Sequence, residues 1–399
     1  MTPLSLPGTL RLFRKVDSPE GKTARRGDDV APDATVSAGE TSAALDQWRG
    51  LALVFVLISH GFYFTEKVHG LGRVGVNLFF FISGILVFRS LSRPRAGSGW
   101  DSANSYWRRR LRRLYPALMA YVILVIPVNY ALQGLAEPQL GPDSQSFYRA
   151  LPFALTYLMN YSHLQAMALA HLWSLSCEMQ FYLLAPLIFL AGGRGSLGRV
   201  LVWGIILSGL VGLGFSVGQS GGVGPEKFHF EFAVWPMMLG FFCESQKAWL
   251  QRTPAWLVAP AAIAALLVFA ACSVGMIAGQ EMKKLVIASG AFMVIPCLFS
   301  YLNGRTVPGR PGRLLAWLGM RTYSIYLWQQ PLTICYYLPA LWHPLGAVLA
   351  VFVGAASFHF FERPFLCSAR RNEPRLRLAA LQAPPGDFAL TLPKSAESP

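Results

Sequence analysis

Apolar runs of about twenty residues recur from Leu51 to Phe361, separated by short polar stretches. A helix of that length rises about 1.5 Å per residue and crosses a hydrocarbon layer. About ten helical spans fit the pattern: 48–66, 73–91, 112–133, 171–191, 198–218, 229–245, 254–275, 283–302, 314–338 and 343–362. A further apolar piece, Leu151 to Met159, is short and flanked by Pro152 and Asn160, so it reads as a re-entrant or interfacial segment. The expected architecture is an all-α, polytopic transmembrane helical bundle. Residues 1–44, rich in Gly, Pro, Ser, Thr and charge, read as a disordered cytoplasmic arm. Residues 45–366 form the membrane domain, and 367–399 read as a flexible cytoplasmic tail.

Composition agrees with this pattern. Of 399 residues, 53% are hydrophobic and only 14% charged, and the mean hydropathy is +0.40. A soluble chain of this size has too little core to bury so much apolar surface, whereas a bilayer accepts it. The net charge of +15 does not point to nucleic acid, because the basic residues sit in the gaps between apolar runs. With the N-terminus inside, 28 of the 35 Lys and Arg fall in cytoplasmic segments and 6 in outside loops. Arg321, within a span, is the remaining one. Both termini are therefore expected in the cytoplasm. The six cysteines are scattered without a CxxC pair and read as packing residues, with no metal site expected.

Ionisable groups inside spans are costly and mark candidate function. His60 follows Arg49 by eleven residues, which returns to within roughly 20° of the same helix face and climbs roughly 16 Å. Arg49 then marks the cytoplasmic edge and His60 lies near mid-membrane, where an imidazole suits a general base. A second polar stripe is His171, Ser174, Glu178 and Tyr182, at i, i+3, i+7 and i+11. Glu178 is placed at a depth comparable to His60, suited to orienting an imidazole or a sugar hydroxyl. In the ninth span Thr322, Tyr326, Gln329 and Thr333 share a face, with a kink expected at Pro331. The most basic segment ends Tyr106-Trp107-Arg108-Arg109-Arg110-Leu111-Arg112-Arg113. Topology and anionic-lipid contact account for it in one reading; docking of a phosphorylated cofactor on guanidinium forks accounts for it in the other.

Six segments in order resemble the membrane-bound acyltransferase 3 family, the O-acyltransferases of bacterial surface glycans. They are Arg49-x10-His60; Gly75-Val76-Asn77-Leu78-Phe79-Phe80-Phe81-Ile82-Ser83-Gly84; Tyr106-Trp107 with Arg110-x-x-Arg113; His171-Leu172-Trp173-Ser174-Leu175 with Glu178-x-Gln180-Phe181-Tyr182; Tyr323-Ser324-Ile325-Tyr326-Leu327-Trp328; and Phe361-Glu362-Arg363-Pro364-Phe365. Two departures stand out. Many relatives have His where this chain has Gln329, and the sixth span, around Phe230-Glu231-Phe232, lacks a basic residue common in relatives.

The resemblance implies a stand-alone acyltransferase domain over 45–366 in a bacterial inner membrane. It implies transfer of an acyl group, most often acetyl, from acetyl-CoA or another acyl-CoA to a hydroxyl of a carbohydrate or glycolipid. Arg49, Arg110 and Arg113 would hold the donor's phosphates, and His60 would act as base or carry the acyl group transiently, with Glu178 and His171 beside it. Asn77, Ser83, Trp173, Tyr326 and Gln329 would line the acceptor pocket. Membrane lipids are expected partners and nucleic acid is not; the sequence leaves the oligomeric state open. A transporter or flippase accounts equally for the spans and the buried His and Glu, but the chain lacks the internal inverted repeat many transporters show.

Overall fold

The computed structural model describes residues 34–62, 71–93, 99–133, 144–164, 166–191, 229–252, 294–333 and 342–365. Helices are the only regular elements among them. The principal ones are α1 (Ala34–Gly61), α2 (Leu71–Ser92), α3 (Gly99–Gln133), α4 (Ser144–Leu155), α5 (Met167–Ala170), α6 (Leu172–Ala191), α7 (Trp235–Ser245), α8 (Val294–Leu302), α9 (Gly309–Met320), α10 (Thr322–Thr333) and α11 (Trp342–Ser357), with single turns at Phe230–Ala233 and Lys247–Leu250 on either side of α7. A π-helical turn, Phe358–Glu362, continues α11. Among the described residues, five helices are long and apolar enough to cross a membrane: Ser42–Gly61, Leu71–Ser92, Gly99–Tyr130, Ala168–Leu190 and Trp342–Phe365. The expected spans 198–218 and 254–275, most of 283–302, the beginning of the N-terminal arm and the C-terminal tail lie outside the described residues.

Three boundaries differ from the sequence reading. The arm and the first span merge, because α1 begins at Ala34 and already buries Ala44 and Leu45 before reaching Arg49. The basic segment before the third span is not a loop: it is the first half of α3, which runs unbroken from Gly99 with Asp101 in its first turn. The ninth span is two helices, α9 and α10, joined at Arg321. The apolar piece around Leu151 falls in the twelve-residue α4, followed by a 3₁₀ turn at Met159–Tyr161. That turn is fixed to α6 by a reciprocal amide pair, Asn160 Nδ2 donating to Gln180 Oε1 at 3.1 Å and Gln180 Nε2 to Asn160 Oδ1 at 2.8 Å.

Helix α2 lies at the centre, apolar and buried on most of its faces, from Val74 to Leu91. It packs along α1 and α7, while α1 packs along α9 and α10 along α11. The α2–α7 approach is backbone to backbone, since a Cβ on Gly84 would collide with the Met237 carbonyl and one on Gly240 with the Phe81 carbonyl. Small residues of this kind let membrane helices approach closely. Gly240→Leu is therefore expected to push α7 off α2. A sharp drop in thermal unfolding temperature of the purified protein, with loss of monodisperse yield, is the measurable result. Opposite, α11 leaves Leu345, Val348 and Phe352 exposed along one face, as a lipid-facing helix does.

Candidate active site

Five helices close around a small cavity of about 60 Å³. Arg49 enters from α1, Arg110 and Arg113 from α3, Ser83 from α2 and Glu178 and Tyr182 from α6. Tyr326 of α10 also lines it. The three arginines predicted separately thus share one space with the predicted carboxylate. Phe79 and Phe80 give the wall an apolar part, and Phe79 meets Tyr326 edge-on at 6.3 Å.

Each charge is positioned by an identifiable partner. The Arg110 guanidinium lies over the Tyr182 ring at 4.5 Å and the Tyr106 ring at 5.4 Å, so two aromatic faces hold the charge at the cavity wall. Arg113 pairs through Nε with Glu362 Oε1 at 3.5 Å, and Ser324 Oγ donates to Glu362 Oε2 at 2.8 Å. Glu362 has no exposed surface, so its partners set its cost. Arg49 pairs with Asp46, one turn earlier, at 3.9 Å. Glu178 Oε1 accepts from both the Ser83 hydroxyl and the Tyr182 hydroxyl. The structure therefore separates Glu178 from the role of orienting His60; its hydrogen bonds run to α2 and along its own helix.

The imidazole of His60 is oriented from elsewhere. Its Nδ1 is hydrogen-bonded to Gln329 Oε1 of α10. An amide carbonyl oxygen can only accept, so Nδ1 carries the proton in this bond, which leaves the lone pair of a neutral ring on Nε2. Gln329 is wholly buried. It does not line the cavity, nor does His60, but it stands one turn along α10 from Tyr326, which does. The Tyr326 hydroxyl meets Ser174 Oγ at 2.7 Å and donates to the His171 carbonyl at 3.3 Å. His171 Nε2 donates to the Leu327 carbonyl at 3.0 Å. Its ring is 2% exposed and close enough to His60 for the two to interact electrostatically.

The remaining predicted residues divide. Ser83 and Tyr326 line the cavity; Asn77 is buried on α2 away from it. Trp173 faces Arg73, whose guanidinium sits 5.0 Å from its ring, and also lies outside the cavity wall. In the apolar window Ser42–Gly61 of α1, Arg49 stands about 10 Å from the start and His60 near the other end. Tyr182 and Glu362 are the members that sequence reasoning left without a role. For Tyr182 the i, i+4 spacing from Glu178 is the available signal.

A model of the acyltransferase domain family matches residues 42–359. Among curated relatives, one of Bacillus subtilis (strain 168) with the provisional name peptidoglycan O-acetyltransferase YrhL is 26% identical over 364 residues, 83% of this chain and 56% of its own length. O-acetyltransferase OatA of Staphylococcus aureus (strain NCTC 8325 / PS 47) is 26% identical over 377 residues, 87% of this chain and 60% of its own. The chain thus spans less than two thirds of the length of these relatives. No solved structure matches. The family match covers the described helices from the first span to the start of the π turn, taking in the arginines, Glu178 and the His60–Gln329 pair, and the chain belongs to the acyltransferase 3 family.

Proposed function

We propose that this protein is a multi-pass O-acetyltransferase of a bacterial inner membrane, moving acetyl from acetyl-CoA to a hydroxyl of a cell-envelope glycan. The observation that carries the reading is the convergence of Arg49, Arg110 and Arg113 on one cavity that Tyr326 also lines, one turn along α10 from the Gln329 that holds His60. Guanidinium forks pair with phosphate oxygens, so the basic side takes the anionic end of the donor. At about 60 Å³ the cavity holds the reactive end of a thioester and not the whole molecule. The nucleotide stays at the arginines while the pantetheine arm extends toward α10.

The chemistry then follows from the tautomer. His60 Nε2 takes the proton of the acceptor hydroxyl as its oxygen attacks the thioester carbonyl carbon. A tetrahedral oxyanion forms; its collapse breaks the C–S bond, releases the acetyl ester and expels the CoA thiolate, which the imidazolium protonates. Gln329 holds the ring throughout by accepting from Nδ1, and Tyr326 is the hydroxyl positioned to face the substrates. Peptidoglycan is one such acceptor class, the one that the name of the Bacillus subtilis relative carries.

The test is incubation of the purified protein with acetyl-labelled acetyl-CoA and envelope glycan fragments, read by mass spectrometry. Label on the glycan, together with released CoA, supports the reading. An inert thioester with every glycan supplied, in protein that takes up a solute when reconstituted in vesicles, overturns it in favour of a transporter.

A further inference from the structure

A second basic site lies outside the cavity, at the break between α9 and α10. Arg321 is the charge that the sequence places inside a span without a role. In the structure it faces an open cavity of about 450 Å³ with Trp317, Ala355, Phe358, His359 and Arg363. Its guanidinium stacks 4.3 Å from the Trp317 ring and 5.1 Å from the Phe358 ring, and Nη1 donates to the Trp317 carbonyl at 3.1 Å. Arg363 donates through Nη1 to His359 Nδ1 at 3.4 Å. With Nδ1 accepting, the imidazole presents Nε2–H as a further donor. Among the described residues neither guanidinium has a carboxylate within ion-pair distance. The neighbouring Glu362 is turned inward onto Arg113 by the π turn. Two like charges close enough to oppose each other remain on the surface, with an imidazole N–H beside them.

The surroundings state which anion fits. Leu345, Val348 and Phe352 are 54%, 54% and 68% exposed on α11. Their spacing continues through Ala355, which lines the cavity, to His359. Steps of three and four residues keep these five on one helical stripe. An apolar, outward stripe therefore runs along the helix and ends in donors and positive charge. A soluble phosphate would use only the end of this arrangement; a phospholipid uses all of it. We propose that this groove binds one anionic phospholipid, its phosphate between Arg321 and Arg363, its acyl chain along Phe352, Val348 and Leu345. The site stands independently of the reaction in the inner cavity.

The experiment is native mass spectrometry of the full chain in detergent, titrated with phosphatidylglycerol or phosphatidylcholine. Wild type is expected to retain one phosphatidylglycerol with roughly 30-fold preference, from two basic residues acting near an anionic headgroup. Arg321→Ala/Arg363→Ala should lose that preference, and Arg310→Ala, an exposed cation elsewhere on α9, should keep it. Arg363→Gln alone, at an exposed position, should weaken it and serves if the double variant does not fold. Equal retention of the two lipids by wild type, or undiminished preference in Arg363→Gln, overturns the proposal. So does displacement of the lipid by millimolar inorganic phosphate or by CoA, which assigns the groove to a soluble anion.

Discussion

His60→Ala is expected to lower acetyl transfer by about 10²- to 10⁴-fold, the range a positioned general base contributes. Donor affinity should stay near wild type, because His60 does not line the cavity on which Arg49, Arg110 and Arg113 converge. The loss should be catalytic rather than structural. His60 is only partly buried, and its removal frees one acceptor on Gln329, a cost of about 1–3 kcal/mol. Turnover and CoA equilibrium binding, measured on the same preparation, separate the two effects. Wild-type turnover in this variant would take the ring out of the chemistry. Gln329→Leu is the companion: it keeps the imidazole but no longer fixes which nitrogen carries the proton, so turnover falls less far and donor binding is again retained.

The polar stripes were legible because helical periodicity assigns residues to a face. Ser174, Glu178 and Tyr182 do lie along one wall. Periodicity does not say which neighbour meets that face. Glu178 reached Ser83, 95 residues away, and His60 reached Gln329, 269 residues away; no local pattern encodes such pairs. The substitution of Gln for the family's His at 329 was readable as a departure. Its meaning, an amide oxygen holding the base, needed the packing of α10 against α1. Hydropathy likewise located α2 and α6 well but ran α9 and α10 together, because all twelve residues of α10 and those of α9 after Arg313 are uncharged, which hides the break. Arg321, a charge in mid-run, was the available sign of that break.

Arg110 and Arg113 look interchangeable in sequence, and the structure predicts different outcomes for their loss. Arg110→Gln removes a cation held by two tyrosine faces without stranding any carboxylate. Donor KM should rise by roughly 10- to 100-fold, as expected for one charged hydrogen-bond partner of a phosphate, with little change in unfolding temperature. Arg113→Gln should give a similar donor defect and also destabilise the protein by about 3–5 kcal/mol, because fully buried Glu362 loses its counter-charge. Adding Glu362→Gln removes the stranded charge. The double variant Arg113→Gln/Glu362→Gln should then recover most of the lost stability while the donor KM stays high. Thermal unfolding and donor titration across the four proteins check this directly. If the double variant recovers donor affinity along with stability, Arg113 acts only through folding, and the phosphate-binding role rests on Arg49 and Arg110 alone.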